Sequence, residues 1–185
     1  MGSLSNISAS DEKRTWEALQ RGDESALRCI FDWYYRALLT DAYRLTAHKE
    51  IARDIVQEVF LEIWKKRERI TVQLSVKAYL RKSVLNRSLN YLRTRHRLVL
   101  DLPDDLPEQP DESPQRLADL LETEDMEAKV RHAIETLPEK CRIIFVLSRF
   151  EKMSHKAIAS ELDISVKTVE NQITKAIKTL REALT

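Results

Sequence analysis

The chain has 185 residues, 43% apolar and 33% charged, with a formal net charge of +1. That length holds one ordinary domain or two small ones, and that balance belongs to a globular chain rather than a disordered one. Two glycines disfavour a sheet built on tight hairpins, and the longest strongly apolar run, Ile143 to Leu147, is too short to cross a bilayer. Met1–Ser10 has no basic start followed by an apolar stretch, so no secretory signal is visible. Cys29 and Cys141 stand alone without a CxxC partner, as in a reducing cytoplasm.

In chain order, the spacing predicts helices over Asp11–Gln20, Asp23–Ala47, Glu50–Arg67 and Val76–Arg95. Gly22-Asp23 punctuates the first pair, and any break in the second would fall near Tyr35. The third carries Ile51, Ala52, Ile55, Val56, Val59, Phe60, Ile63 and Trp64, a stripe wide enough for burial in a helical bundle. Leu102 to Pro114 then holds four of the five prolines, which makes a stiff, exposed connector. Beyond it come a helix around Leu121–Thr136, one from Pro138 to Arg149, and a closing pair. Both halves are therefore expected to be small all-α domains joined by an acidic, Pro-rich linker.

The near-zero net charge hides an asymmetry. Residues 1–97 carry 19 Lys/Arg against 12 Asp/Glu, whereas residues 98–123 carry one Arg against eight acids. No acid lies between Glu68 and Asp101, a stretch that holds Arg69, Lys77, Arg81, Lys82, Arg87, Arg93, Arg95 and Arg97. Such a basic block suits a polyanion.

The closing pair is the most informative stretch. Ser154 can cap a first helix whose inner face runs through Ile158 and Leu162, with small Ala159 where two crossed helices approach. Asp163-Ile164-Ser165 forms the turn, and Ser165 caps a second helix with Val169, Ile173, Ile177 and Leu180 inward. This is helix-turn-helix spacing, whose second helix lies in a DNA major groove. Asp163 stands where Gly is usual in such a turn, and Asp tolerates a left-handed backbone better than most residues. Lys167, Thr168, Glu170, Asn171, Thr174, Lys175 and Lys178 point away from the stripe. Lysines and hydroxyls can meet phosphates, Asn171 can address adenine, and Glu170 can accept from cytosine. An ordinary amphipathic helix with a mixed polar face is the plainer alternative.

Two further segments stand out. Asp54, Gln57 and Glu58 lie outside the Ile55/Val59/Phe60 stripe, as a solvated face or as a docking site for a basic partner helix. Lys77 to Arg93 interleaves cations, aromatics and amides. Lys77, Lys82 and Arg93 can follow phosphates, Tyr79 can stack on an unpaired base, and Asn86 and Asn90 can bond base edges or backbone. The plainer alternative, a bundle helix with core tyrosines, suits Tyr91 better than Tyr79. No catalytic, cofactor or metal constellation emerges: His48, His96, His132 and His155 are scattered, and no Gly-rich phosphate loop exists.

Taken in order, these segments resemble the bacterial sigma factors of the sigma-70 family, most closely the extracytoplasmic-function class. The residues that carry the resemblance are Asp54–Trp64, Lys77-Ala-Tyr-Leu with Asn86 through Arg93, Leu137–Phe145 and Ser165–Asn171. It implies domain 2 over residues 11–97, an acidic linker over 98–123, and domain 4 over 124–185. It implies partners as well: RNA polymerase core, promoter DNA, and an anti-sigma protein of the kind commonly anchored in the membrane. Asp54, Gln57 and Glu58 would dock on the coiled coil of the polymerase's largest subunit. The loop around Ile70–Val76 and the helix after it, with Lys77, Tyr79, Lys82, Asn86, Asn90 and Arg93, would engage the −10 element and hold melted bases. Helix Ser165–Glu182, with Lys167, Thr168, Glu170, Asn171, Thr174 and Lys175, would read the −35 element, and the linker would thread towards the RNA exit path. The chain departs from the family's pattern at Lys152, where Gly is frequent, at Gln172, where His often appears, and at Glu170, which several relatives fill with a cation. An autonomous helix-turn-helix regulator with a helical sensor or dimerisation domain is the alternative.

Overall fold

The computed structural model describes residues 8–72, 75–99, 130 and 132–184, and every described element is helical. The chain divides into two compact units, Met1–Thr94 and Arg95–Thr185. Of the acidic linker expected over 98–123, residues 98–99 are helical and 100–123 lie outside the described residues, as does most of the helix expected around Leu121–Thr136, of which 130 and 132–135 are helical.

In the first unit, α1 spans Ala9–Gln20, capped by Ser8, whose Oγ accepts the Asp11 N–H at 3.1 Å. Its end turns on Gly22, at φ 91°, where an L side chain would be strained. Asp23 then accepts the Ser25 N–H at 2.8 Å and caps α2, Glu24–Thr46. This helix runs unbroken through Tyr35, because Ala26, Ile30, Tyr34, Leu38 and Ala42 keep one four-residue stripe buried with no Gly or Pro to interrupt it. Ala47, left-handed at φ 54°, ends α2 and admits α3, Lys49–Lys66. The predicted stripe of α3 is buried at Ala52, Ile55, Val56, Val59, Phe60 and Ile63 and packs mainly against α2; Ile51 and Trp64 are half-buried.

α4 spans Val76–Val99, beyond the predicted end at Arg95. Val76, Leu80, Val84, Ser88 and Leu92 repeat every fourth residue along its buried side. Full burial of each Leu or Val contributes about 1.5–3 kcal/mol. Polar ties add direction. Arg81 Nε meets Asp41 Oδ2 of α2 at 2.9 Å. Arg87 forks onto Glu58 and Glu62 of α3, each at 2.5 Å.

In the second unit, α5 spans Glu139–Arg149, with Pro138 in the capping position rather than inside the first turn. Leu137, Cys141, Ile143, Ile144, Val146 and Leu147 are buried. The Cys141 thiol, pushed up in pKa by burial, donates to the Gln172 carbonyl at 3.3 Å. α6 spans His155–Leu162 and α7 spans Val166–Leu184. α5 and α6 both pack on α7.

Candidate nucleic-acid and polymerase interface

The geometry of α6 and α7 follows from three short-range devices. Ser154 Oγ accepts the Ala157 N–H at 3.2 Å, which starts α6. Asp163, at φ 53° and ψ 48°, ends it, and the Ile164 N–H returns to the Ala159 carbonyl at 3.0 Å. Ser165 Oγ accepts the Thr168 N–H at 3.0 Å and starts α7. The turn therefore occupies Asp163-Ile164-Ser165 as predicted, with Asp in the left-handed position. The buried faces differ in detail. α6 turns Ile158 and Ala159 inward while Leu162 is only half-buried; α7 buries Val169, Ala176 and Leu180, with Ile173 and Ile177 half-buried beside them. Small Ala176 lets α7 sit close to its neighbours, so the stripe centres on it and not on the flanking isoleucines.

Outward on α7, Lys167, Glu170, Asn171, Thr174 and Lys175 are exposed and Thr168 is half-buried. Thr168 Oγ1 lies 2.9 Å from Ser165 Oγ, and Thr174 Oγ1 donates to the Glu170 carbonyl at 2.9 Å. Lys167 Nζ stands 3.7 Å from Glu170 Oε2, which sets a cation beside the carboxylate that interrupts an otherwise neutral-to-basic face. At about 100° per residue, Lys167, Asn171 and Thr174 lie near the centre of the outer face.

On α4, Lys77, Lys82, Asn86, Asn90 and Arg93 are exposed, and Tyr79 is half-buried with its ring edge-on to Trp16 at 6.1 Å. Helix geometry puts Tyr79, Lys82, Asn86, Asn90 and Arg93 within an arc of about 80°. Lys77 lies about 140° from that ridge, so the helix does not bring it into line with the others. Arg93 Nη1 donates to Asn90 Oδ1 at 3.3 Å. The basic block thus divides: Arg81 and Arg87 tie α4 to α2 and α3, while Lys82 and Arg93 face outward.

On α3, Asp54, Gln57 and Glu58 are all exposed. With Leu61 they fill an arc of about 100°. Two features of this face escaped the sequence reading. Leu61 is an apolar side chain left 57% exposed, and Glu58 is already held by Arg87. Leu61 stands three residues after Glu58 and off the buried stripe, so a helical projection would have found it; nothing local announces the Arg87 contact from 29 residues away. A second exposed apolar residue, Val166 at 38%, opens α7. Hydrogen bonds from Lys66 and then Arg87 hold the Glu62 carboxyl below its ordinary pKa. Among the described residues no group of His, Cys, Asp and Glu could hold a metal ion, and no helix is long and apolar enough to cross a membrane.

Comparison with known proteins gives a consistent result. Residues 30–98 match Sigma-70 region 2 and residues 127–180 match Sigma-70, region 4. The chain is 30% identical over 160 residues to the RNA polymerase sigma-E factor of Streptomyces coelicolor, covering 83% of this chain and 85% of that one. It is 25% identical over 188 residues to the RNA polymerase sigma-H factor of Pseudomonas aeruginosa, covering 96% of each. Among solved structures it is similar to the sigma factor RpoE in complex with the anti-sigma factor NepR from Bartonella quintana, at 20% identity and a TM-score of 0.47, covering 85% of this chain and 95% of that one.

Proposed function

Because the chain belongs to the extracytoplasmic-function class of sigma-70 family sigma factors, we propose specific tasks for its three outward faces. The chain is a transcription initiation factor that binds core RNA polymerase and directs it to promoters. In this assignment Asp54, Gln57 and Glu58 on α3 dock on a basic helical element of the polymerase, with Leu61 as an apolar centre. Tyr79, Lys82, Asn86, Asn90 and Arg93 on α4 hold the melted −10 strand, with Lys77 reaching phosphate from the side of the helix start. Lys167, Thr168, Glu170, Asn171, Thr174 and Lys175 on α7 face the −35 duplex. The division into a domain over 11–97, a linker over 98–123 and a domain over 124–185 belongs to the same assignment. So do a cytoplasmic site of action, beside the polymerase, and control by an anti-sigma protein. RNA synthesis remains the work of the core enzyme.

The observation that carries this assignment is the exposed acidic-amide face of α3 with an unburied leucine in its midst. A subunit that reaches DNA only on a polymerase requires such a docking face. Reconstitution tests it: purified core plus this protein should yield start-site-specific RNA from a cognate genomic promoter. Sequence-specific DNA binding by the chain alone, with no core-dependent transcript, would favour the autonomous regulator.

A further inference from the structure

Three side chains on one face of α1 reach the segment around the start of α4. Glu12, Trp16 and Gln20 are spaced by four residues, so they stack along a single ridge. Gln20 Nε2 donates to the Ile70 carbonyl at 3.0 Å. Glu12 Oε1 accepts the Lys77 backbone N–H at 3.2 Å and also the Tyr34 hydroxyl. The Trp16 ring, 5% exposed, meets the Tyr79 ring edge-on at 6.1 Å and 61°.

Each contact has a distinct physical effect. The first N–H groups of a helix lack intrahelical acceptors. Ser75 Oγ takes the Ala78 N–H at 3.1 Å, and Glu12 supplies a carboxylate for Lys77 from another helix. A negative group there also complements the positive end of the α4 dipole. Burial, reinforced by the Glu12 hydrogen bond, pushes the Tyr34 hydroxyl up in pKa, so it stays a donor and anchors that carboxylate. The edge-on contact with Trp16 fixes the Tyr79 ring, which remains half-buried with part of its surface open. Gln20 holds the backbone where the chain leaves α3 for α4. None of the three residues lies within residues 30–98, the part that matches region 2.

We infer that α1 is a positioning strut for strand capture: Glu12, Trp16 and Gln20 hold Ile70, Lys77 and Tyr79 in the arrangement that receives an unpaired −10 base. This rests on the assignment of α4 to the −10 strand. Glu12 and Trp16 touch no DNA themselves; they act through the start of α4 and through the Tyr79 ring. A preformed stacking surface binds a base without the ordering cost that a free tyrosine would incur.

The test uses the full chain bound to polymerase core. The probe is the fluorescent non-template −10 strand of the promoter that gives the strongest start-site-specific transcript in reconstitution. Glu12→Ala should weaken holoenzyme binding of that strand by about fivefold, on the scale of one lost charge-assisted hydrogen bond. Glu12→Gln, which keeps an acceptor oxygen, should recover most of the loss. Trp16→Leu should weaken strand binding in the same direction. Affinity for core and retention of −35 duplex should stay within about twofold of the parent, because this assignment puts those tasks on side chains of α3 and α7 and none on α1. Parallel losses in strand binding and core affinity would reduce Glu12 to a general stabiliser and overturn the strut. Unchanged strand binding in both Glu12→Ala and Trp16→Leu would overturn it while leaving the α4 assignment in place. Failure of the parent holoenzyme to bind the strand would remove the α4 assignment and the strut with it.

Discussion

Charge reversal on α3 separates docking from folding. Asp54 and Glu58 both face outward, but Glu58 also meets Arg87 at 2.5 Å, with side-chain exposures of 59% and 33% for the pair. An ion pair this exposed contributes at most about 1 kcal/mol, and Arg87 keeps Glu62 when Glu58 is lost. For a unit of this size, about 1 kcal/mol corresponds to roughly 4–8 °C in Tm. Glu58→Lys should therefore lower Tm by no more than that, and Asp54→Lys should leave it nearly unchanged. At the interface, a carboxylate about 4 Å from a partner cation gains about 1 kcal/mol in bulk water and about 4 kcal/mol at an effective dielectric near 20. Loss of that attraction alone should thus weaken core binding by about 1–4 kcal/mol in either reversal, or roughly 5- to 1,000-fold in Kd. The assay is fluorescence anisotropy of the labelled protein titrated with core, beside thermal melts by circular dichroism. Core affinities within twofold of the parent for both variants, with normal melts, would refute the docking assignment. A loss confined to Glu58→Lys would locate the effect in the Arg87 contact instead.

Other substitutions probe the remaining faces. Asn171→Ala should cut discrimination at one −35 base pair by about 1–3 kcal/mol without altering core affinity, measured by transcription from promoters varied at each position. Lys152 sits at φ 54°, a backbone region that favours glycine. Lys152→Gly should raise stability by about 0.5–1 kcal/mol after the added freedom of the unfolded chain is counted, read as a higher Tm. The depressed Glu62 carboxyl stabilises the fold fully above its ordinary pKa of 4.5 and loses that contribution as pH falls below it. Denaturant titrations should accordingly show the stability gap between parent and Glu62→Gln narrowing as pH drops from neutral towards 3; a constant gap would detach Glu62 from the acid sensitivity.

Helix placement was legible because local rules set it. Ser154 and Ser165 announce two helix starts, and the apolar stripes of α2 and α3 announce two buried faces. Less legible were matters decided at long range. On α6 the close approach at Ala159 was readable, whereas the half-burial of Leu162, expected on the inner face, was not. The break considered near Tyr35 is absent, since tertiary burial of Tyr34 and Leu38 carries the helix through. At the candidate site, the outward residues were readable from periodicity, but the half-burial of Tyr79 against Trp16 was not. Nor was the division of the α4 cations, because ion pairs across 29 and 40 residues leave no trace in spacing.

With α4 assigned to the −10 strand as proposed, that division sets how strongly the holoenzyme's grip on promoter DNA should respond to ionic strength. Each phosphate neutralised on a single strand contributes about −0.7 to the slope of log affinity against log salt, through the counterions it sets free. Arg81 and Arg87 are already neutralised inside the protein by Asp41, Glu58 and Glu62. Their diversion makes the slope attributable to this helix about 1.4 shallower than a count of its five cations from Lys77 to Arg93 would suggest.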